Sequence, residues 1–140
     1  MSIGRICIRE VHVADPDESL LEAARRMRDR DVGTLVVVDA ERRPVGILTD
    51  RDLATRCVAA GCDPAVTKVG SAMTVPVTTA VESTPIEEGI ARMSGVPARR
   101  LVVVDEDDHL VGVLALDDVL ELLVEEMETL GRLVRRAGSR

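Results

Sequence analysis

The feature that most constrains the fold of this chain is a repeat with one constant offset. Residues 35–39 and 101–105 both read Leu-Val-Val-Val-Asp, 66 residues apart (101 − 35 = 66). The same offset relates other identical pairs: Met27 and Met93, Gly46 and Gly112, Asp52 and Asp118, Val11 and Val77. Agreement at one offset over most of each half indicates a duplicated structural unit. The 140 residues therefore divide into two repeats, 1–66 and 67–140.

Each repeat predicts the order strand, helix, strand, strand, helix. The β-branched runs at 34–39 and 101–104 are continuous rather than alternating, which is typical of strands buried on both faces. The other predicted strands lie at 11–13, 45–48, 75–79 and 111–114, and helices are predicted to begin near 15–17, 50, 82–85 and 117. The fold class is therefore α+β. Because a unit of about 60 residues buries little surface alone, the two repeats are expected to share a core.

Composition narrows the class of function. Phe, Trp and Tyr are absent, so the core is packed from aliphatic side chains and no aromatic platform can stack nucleic-acid bases. The formal net charge of −7 disfavours binding of DNA or RNA, because that affinity comes from Lys and Arg neutralising phosphates. No apolar run is long enough for a signal peptide or a membrane span. We therefore expect a cytoplasmic protein that contacts neither nucleic acid nor membrane.

The cysteines and histidines suggest neither a metal site nor a catalytic site. Three cysteines are typical of a reducing compartment, and the spacing of Cys57 and Cys62 does not match a CxxC pair, so we expect buried or half-buried thiols. His12 and His109 have no cysteine or carboxylate partners at ligand spacing, so no metal is expected. No Ser-His-Asp or Cys-His arrangement can be assembled, which argues against an enzyme.

The final helix is longer than its counterpart in the first repeat. Its apolar residues recur at i, i+3, i+7, i+10 and i+14 and form a stripe that continues beyond the repeat: Leu120, Leu123, Met127, Leu130 and Val134. The stripe has two interpretations, a cap over the protein's own core or a contact between two copies of the chain. The sequence does not decide between them.

Residues 46–53, Gly-Ile-Leu-Thr-Asp-Arg-Asp-Leu, run from a buried strand into the start of a helix. Thr49 offers a hydroxyl, Arg51 a permanent positive charge that suits phosphate, and Asp52 a carboxylate that can accept hydrogen bonds from a ribose diol. This combination favours nucleotide recognition. In the simpler interpretation, Thr49 or Asp50 only caps the helix and Asp52 interacts favourably with its dipole.

With these motifs the chain resembles a tandem pair of cystathionine-β-synthase (CBS) domains, often called a Bateman module. The resemblance rests on the two Val-Val-Val-Asp strands, on Gly-h-h-Thr-x-x-Asp at 46–52 (h, hydrophobic; x, any residue), and on the echo Gly-h-h-x-x-x-Asp at 112–118. The lead-in Val-Gly-Ser-Ala-Met-Thr at 69–74 is also similar. The resemblance covers nearly the whole chain. It implies two β-α-β-β-α repeats packed through their sheets with pseudo-two-fold symmetry.

The resemblance also implies two ligand clefts, each built from both repeats. The Gly-h-h-Thr-x-x-Asp segment of one repeat supplies ribose and phosphate contacts, and the lead-in and core strand of the other hold the base. Carried onto this sequence, the first cleft uses Ile47, Thr49, Arg51, Asp52, Ser71, Val75, Val77, Ala98 and Arg99, and the second cleft uses Val11, Val32, Gly33, Val113 and Asp118.

The second cleft departs from the pattern of the family. Ala115 stands where the motif has threonine, and Asp117 stands where the first repeat has Arg51. A phosphate bound there loses a hydroxyl and a cation and meets an additional negative charge. We therefore expect the second cleft to bind weakly or to prefer a less charged ligand.

The sequence thus predicts a non-catalytic regulatory module, without a cofactor, that senses an adenosine-containing nucleotide. AMP, ADP, ATP, NAD and S-adenosylmethionine all remain open as ligands. Because the chain ends soon after the second repeat, we expect the regulated client to be a separate protein, and the resemblance implies a homodimer. Two alternatives stay open: a structural dimerisation module with vestigial clefts and, less favoured, a small enzyme that acts on a nucleotide.

Overall fold

Two three-stranded sheets form the centre of the structure. The computed structural model describes residues 1–96 and 100–138, and its strands are ordered β1-β2-β3 and β4-β5-β6. In each sheet the first strand is parallel to the second, and the second is antiparallel to the third. The strands are Val13–Ala14 (β1), Thr34–Val38 (β2), Pro44–Thr49 (β3), Thr79–Val81 (β4), Arg100–Val104 (β5) and Leu110–Ala115 (β6). The predicted α+β class is confirmed.

Helices pack on the outer face of each sheet. α1 begins after Ser19, whose hydroxyl oxygen accepts a hydrogen bond from the backbone N–H of Glu22 at 3.1 Å. The helices are Leu20–Arg30 (α1), Asp50–Asp52 (α2), Val69–Ala72 (α3), Ile86–Met93 (α4) and Leu116–Gly138 (α5), with a 3₁₀ turn at Ile3–Arg5 and a π-helical segment at Leu53–Val58. The order of the main elements within each repeat matches the sequence-based prediction, with α3 added before β4.

The central core lies between the two sheets. Alternate residues of the middle strands point to opposite sides: Val36 and Val102 meet in a cluster shared by both repeats, whereas Leu35 and Leu101 face their own helices. All four are at most 1% exposed, as the continuous apolar runs predicted. Burying each such side chain contributes about 1.5–3 kcal/mol. The repeats are therefore packed through their sheets, as the resemblance implied.

The segment that leads into each repeat crosses to the opposite repeat. Ile3 is fully buried in the second repeat's cluster, and the backbone of Ile8 exchanges two hydrogen bonds of 2.9 Å with Val113. In the same way Thr74 exchanges bonds of 2.7 and 3.1 Å with Ile47 of the first repeat. Because these residues make the crossing, the strands predicted at 11–13 and 75–79 begin later, at Val13 and Thr79.

Cys57 and Cys62 form a disulfide, so the prediction of thiols at these positions is wrong. After Asp52 the helix widens into the π-helical segment and ends in a turn where the Cys62 N–H donates to the Cys57 carbonyl at 3.0 Å. This turn brings the two Cα atoms to 4.9 Å, a separation that a disulfide can span. Cys7 is a free, half-buried thiol, and burial raises its pKa.

Helix α5 continues well beyond the second repeat's core. Its first turns anchor it through Val119, which is 2% exposed. Seven large apolar residues farther along are 49–71% exposed: Leu120, Leu123, Val124, Met127, Leu130, Leu133 and Val134. Within the described residues they belong to none of the apolar clusters of the core, which argues against the interpretation of the stripe as a cap. A search of the described residues finds no helix whose length and hydropathy would allow it to cross a membrane.

Candidate functional site

A cavity of about 360 Å³ opens between the repeats where β3 ends. Its volume falls within the range of roughly 300–1,000 Å³ that is usual for small-molecule sites. β3 and α2 contribute from the first repeat, and the lead-in contributes from the second. The described residues that line this first cleft are Ile47, Thr49, Arg51, Asp52, Arg56, Thr74, Pro76, Val77, Thr78 and Val96.

Thr49 and Asp52 cap the helix reciprocally. The Thr49 Oγ1 accepts the Asp52 backbone N–H at 3.1 Å, and the Asp52 Oδ2 accepts the Thr49 backbone N–H at 2.9 Å. This capping box satisfies two backbone donors at the start of α2. Thr49 therefore caps the helix, and the ribose contact of Asp52 remains a prediction that this cap does not exclude.

Two residues that the sequence analysis did not select hold Asp52 and its surroundings. Asp52 is 7% exposed, and the Thr74 hydroxyl lies 3.1 and 3.2 Å from its two carboxylate oxygens. The Arg56 Nε lies 3.9 Å from Oδ1. The Arg56 Nη1 donates to the carbonyls of Ala72 and Met73 at 3.1 and 2.9 Å. Arg56 follows Asp52 by about one helical turn, and this spacing is the feature of the sequence that could have identified it.

The described residues that line the first cleft carry a net positive charge. Among them, Arg51 and Arg56 contribute two cations against the single carboxylate of Asp52, a balance of 2 − 1 = +1. Arg51 is exposed at the cleft, and within the described residues its guanidinium makes no hydrogen bond or ion pair. It is therefore available to an anionic group entering the cleft.

Five of the residues predicted for the first cleft meet in this cavity: Ile47, Thr49, Arg51, Asp52 and Val77. Ser71 and Val75 are absent from the described lining. Ser71 is exposed on α3, which turns Val69 towards the first core, and Val75 is 58% exposed. Ala98 and Arg99 lie outside the described residues.

A second cavity of about 380 Å³ lies at the equivalent place at the end of β6. It contains all five residues predicted for the second cleft: Val11, Val32, Gly33, Val113 and Asp118. The described residues that were not predicted are Ile8, Glu10, His12, Asp31, Thr34, Val36 and Arg100, together with Ala115 and Asp117, whose departures from the motif were noted.

The described lining of the second cleft is strongly acidic. Four carboxylates, those of Glu10, Asp31, Asp117 and Asp118, face one arginine, Arg100, so these five residues give a balance of 1 − 4 = −3. Within the described residues the Asp118 carboxylate makes no hydrogen bond, and Ile8, the equivalent of Thr74, has no hydroxyl to donate to it. This negative charge disfavours binding of a phosphate and agrees with the weak second cleft expected from Ala115 and Asp117.

The prediction that His109 has no carboxylate partners is wrong because of the turn after β5. His109 does have carboxylate neighbours, because the turn folds it towards Asp105 and Asp107, and one ligand atom from each lies within 4.8 Å of the others. The Asp105 Oδ1 accepts the backbone N–H groups of Asp107 and His109 at 2.9 and 3.0 Å. These bonds lower the pKa of Asp105, the bond from His109 most. The cluster is thus explained as the bonding that closes the turn.

Comparison with known proteins matches both repeats. The CBS domain family covers residues 3–59 and 69–125. An uncharacterised protein of Methanopyrus kandleri is 32% identical over 122 residues, which are 87% of this chain and 62% of that protein. This chain therefore spans less than two thirds of that relative.

Solved structures share the fold. The CBS domain pair of protein MJ0100, in complex with 5′-methylthioadenosine and S-adenosyl-L-methionine, has a TM-score of 0.76 at 25% identity and covers 90% of this chain and 98% of its own. CBSX2 of Arabidopsis thaliana, in complex with AMP, has a TM-score of 0.75 at 24% identity with the same coverage, a likeness of fold alone. With the family matched in both halves and the sheets paired as described, the chain belongs to the CBS domain family and contains two CBS domains in tandem.

Proposed function

We propose that the chain is a regulatory module that binds an adenosine-containing nucleotide in the first cleft and controls a separate protein. The observation that carries this proposal is Asp52, a nearly buried carboxylate held by two hydrogen-bond donors, in the same cavity as the Arg51 guanidinium, which has no partner within the described part of the chain. A carboxylate suits a ribose diol, and a guanidinium suits phosphate. The adenosyl ligands of the MJ0100 pair support this class of ligand.

The charge of the first cleft favours a phosphorylated ligand among the open candidates. A net charge of +1 attracts AMP, ADP, ATP or NAD more than it attracts the sulfonium of S-adenosylmethionine. The balance of −3 in the second cleft supports weak binding of phosphates there. Each ligand acts as a regulatory signal rather than as a cofactor.

The proposed role is binding rather than catalysis. Asp52 is the single carboxylate among the described residues that line the first cleft, so these residues supply no acid–base pair. The Thr49 hydroxyl accepts the Asp52 backbone N–H and caps the helix, and the Thr74 hydroxyl donates to the Asp52 carboxylate. An assay for ATP hydrolysis should give no activity above that of the buffer.

The exposed stripe of α5 supports a homodimer as the working form. Its first turn carries Asp117 and Asp118 and its last turn carries Arg135 and Arg136. A second copy packed antiparallel would bury both apolar stripes and place acidic ends beside basic ends. Light scattering should give twice 15.1 kDa, and Met127→Glu should lower this mass to that of a monomer whereas Thr129→Glu, off the stripe, should not.

Two further features belong to the proposal. The repeats 1–66 and 67–140 act as one unit, because each lead-in packs on the opposite repeat.

A cytoplasmic location remains the prediction made from the sequence. The Cys57–Cys62 disulfide is the observation against it, since disulfides are rare in reducing compartments.

Titration calorimetry on nucleotide-free protein tests the ligand. AMP and ATP should bind, Asp52→Asn should weaken binding about tenfold or more, and the matched variant Asp118→Asn should change it little. Because the chain has no Trp or Tyr, a co-purified adenine compound would dominate the ultraviolet spectrum and could be identified by mass spectrometry. A dimer that binds none of the five candidate ligands would instead favour the structural dimerisation module.

A further inference from the structure

The carboxylate of Asp52 is held in one orientation by groups from both repeats. Within its own repeat, the Thr49 N–H donates to Oδ2 at 2.9 Å. From the second repeat's lead-in, the Thr74 hydroxyl reaches Oδ1 at 3.1 Å and Oδ2 at 3.2 Å. A carboxylate offers about four acceptor positions, so these two donors leave about two for a ligand.

The Thr74 hydroxyl is itself fixed in place. Its backbone is tied to Ile47 by a pair of hydrogen bonds of 2.7 and 3.1 Å. The Arg56 guanidinium adds bonds to the carbonyls of Ala72 and Met73, the two residues that precede Thr74. The backbone of the lead-in is therefore tied to the first repeat at Thr74 and at the two residues before it, and this places the Thr74 hydroxyl beside Asp52.

The second repeat provides an internal comparison at the offset of 66. Its equivalent of the Thr74–Ile47 pair is Ile8 with Val113, and the two backbone hydrogen bonds of 2.9 Å are retained. The side chains differ: isoleucine replaces Thr74, Ala115 replaces Thr49 and leucine replaces Arg56. The same backbone frame thus lacks the hydroxyl that would hold Asp118.

We propose that Thr74 is a positioning residue, which orients Asp52 so that the first cleft selects an intact ribose diol. This inference rests on the proposed nucleotide function and names the residue that makes the diol contact selective. While both donors hold it, the carboxylate is already oriented towards the two ribose hydroxyls. Ligand binding therefore does not have to offset the entropy lost in ordering this side chain. Without Thr74 the carboxylate rotates, and its contact with the diol weakens.

The test compares AMP with its 2′-deoxy and 3′-deoxy analogues on the full chain. Thr74→Val keeps the branched shape and removes the hydroxyl, Thr74→Ser restores the hydroxyl, and Thr55→Val removes an exposed hydroxyl outside the cleft. In the wild type, the preference for AMP over the more weakly bound analogue is measured by calorimetry. Thr74→Val should weaken the binding of AMP about tenfold and the binding of that analogue by less than about twofold. Thr74→Ser and Thr55→Val should keep the preference of the wild type.

The outcomes separate the inference from the function on which it rests. If Thr74→Val weakens AMP and both analogues equally, or leaves the preference unchanged, Thr74 does not position Asp52 and the inference is overturned while nucleotide binding stands. If the wild type binds neither AMP nor any other adenosine ligand, the proposed function fails and the inference fails with it. A melting curve for each variant confirms that the titrated protein is folded.

Discussion

Replacing Asp52 by alanine should destabilise the ligand-free protein, because this carboxylate is part of the fold as well as of the cleft. The substitution removes the acceptor of the Thr49 N–H at 2.9 Å and of the Thr74 O–H at 3.1 Å. Each hydrogen bond to a charged group contributes about 1.5–3 kcal/mol when it is buried. Water in the adjoining cavity can replace part of this loss, so we expect a decrease of about 2 kcal/mol in the free energy of unfolding. The Arg56 contact adds nothing to this figure, since its 3.9 Å separation and 48% exposed arginine are typical of a weak surface pair.

Asp118→Ala is the matched control, since it removes the same side chain at the equivalent position of the second repeat. Within the described residues Asp118 accepts no hydrogen bond, so its loss should change the unfolding free energy by less than about 0.5 kcal/mol. Urea titrations followed by far-ultraviolet circular dichroism give both values, and the absence of Trp and Tyr rules out the usual fluorescence signal. Equal losses in the two variants would refute the structural role assigned to Asp52.

The same pair of variants separates stability from affinity. At temperatures where Asp52→Ala remains folded, its AMP affinity should fall roughly tenfold to a hundredfold, through loss of a charged acceptor for the ribose diol. Asp118→Ala should retain the affinity of the wild type, because its cleft carries a balance of −3. The principal site would be wrongly assigned if Asp118→Ala abolished binding and Asp52→Ala left it intact.

Gly112→Ala should lower the melting temperature more than Gly46→Ala does. A Cβ at Gly112 would meet the backbone carbonyl oxygen of Ile8 at 2.6 Å. A Cβ at Gly46 would first meet a flexible methionine side chain, also at 2.6 Å. Alkylation of the denatured chain should label one cysteine before reduction and three after it, as counted by mass spectrometry. Ala115→Thr combined with Asp117→Arg should strengthen AMP binding by the second cleft in calorimetry without matching the first cleft, because it restores a hydroxyl and a cation but leaves Ile8 in the place of Thr74.

The fold was predictable from the sequence where the pattern is local. The repeat is visible because both copies keep the strand Leu-Val-Val-Val-Asp at one offset, and burial on both faces follows from its continuous apolar run. The helix start at Thr49 was predictable for the same reason, since a capping box is complete within four residues. Such features depend on neighbours in sequence and need no knowledge of the partner element.

One of the missed features depends on a contact between distant segments, and the other depends on the local path of a helix. Thr74 lies 22 residues from Asp52, and its role appears only once the lead-in pairs with Ile47 of the other repeat. The bond between Cys57 and Cys62 depends on a helix that widens and turns at its end, which no spacing rule for CxxC motifs describes. Secondary-structure propensity and hydrophobic periodicity carry no information about the Thr74–Asp52 contact or the Cys57–Cys62 bond.

The two clefts show how a duplicated fold can keep its frame and change its chemistry. The backbone pairs Thr74–Ile47 and Ile8–Val113 are bonded alike, and the two cavities have similar volumes, about 360 and 380 Å³. The charge balances of their described lining residues, +1 and −3, come from side chains and not from this shared backbone. Because each lead-in belongs to one repeat and lines the cleft of the other, selectivity in either cleft depends on both halves of the chain. Neither repeat alone would therefore retain a complete site.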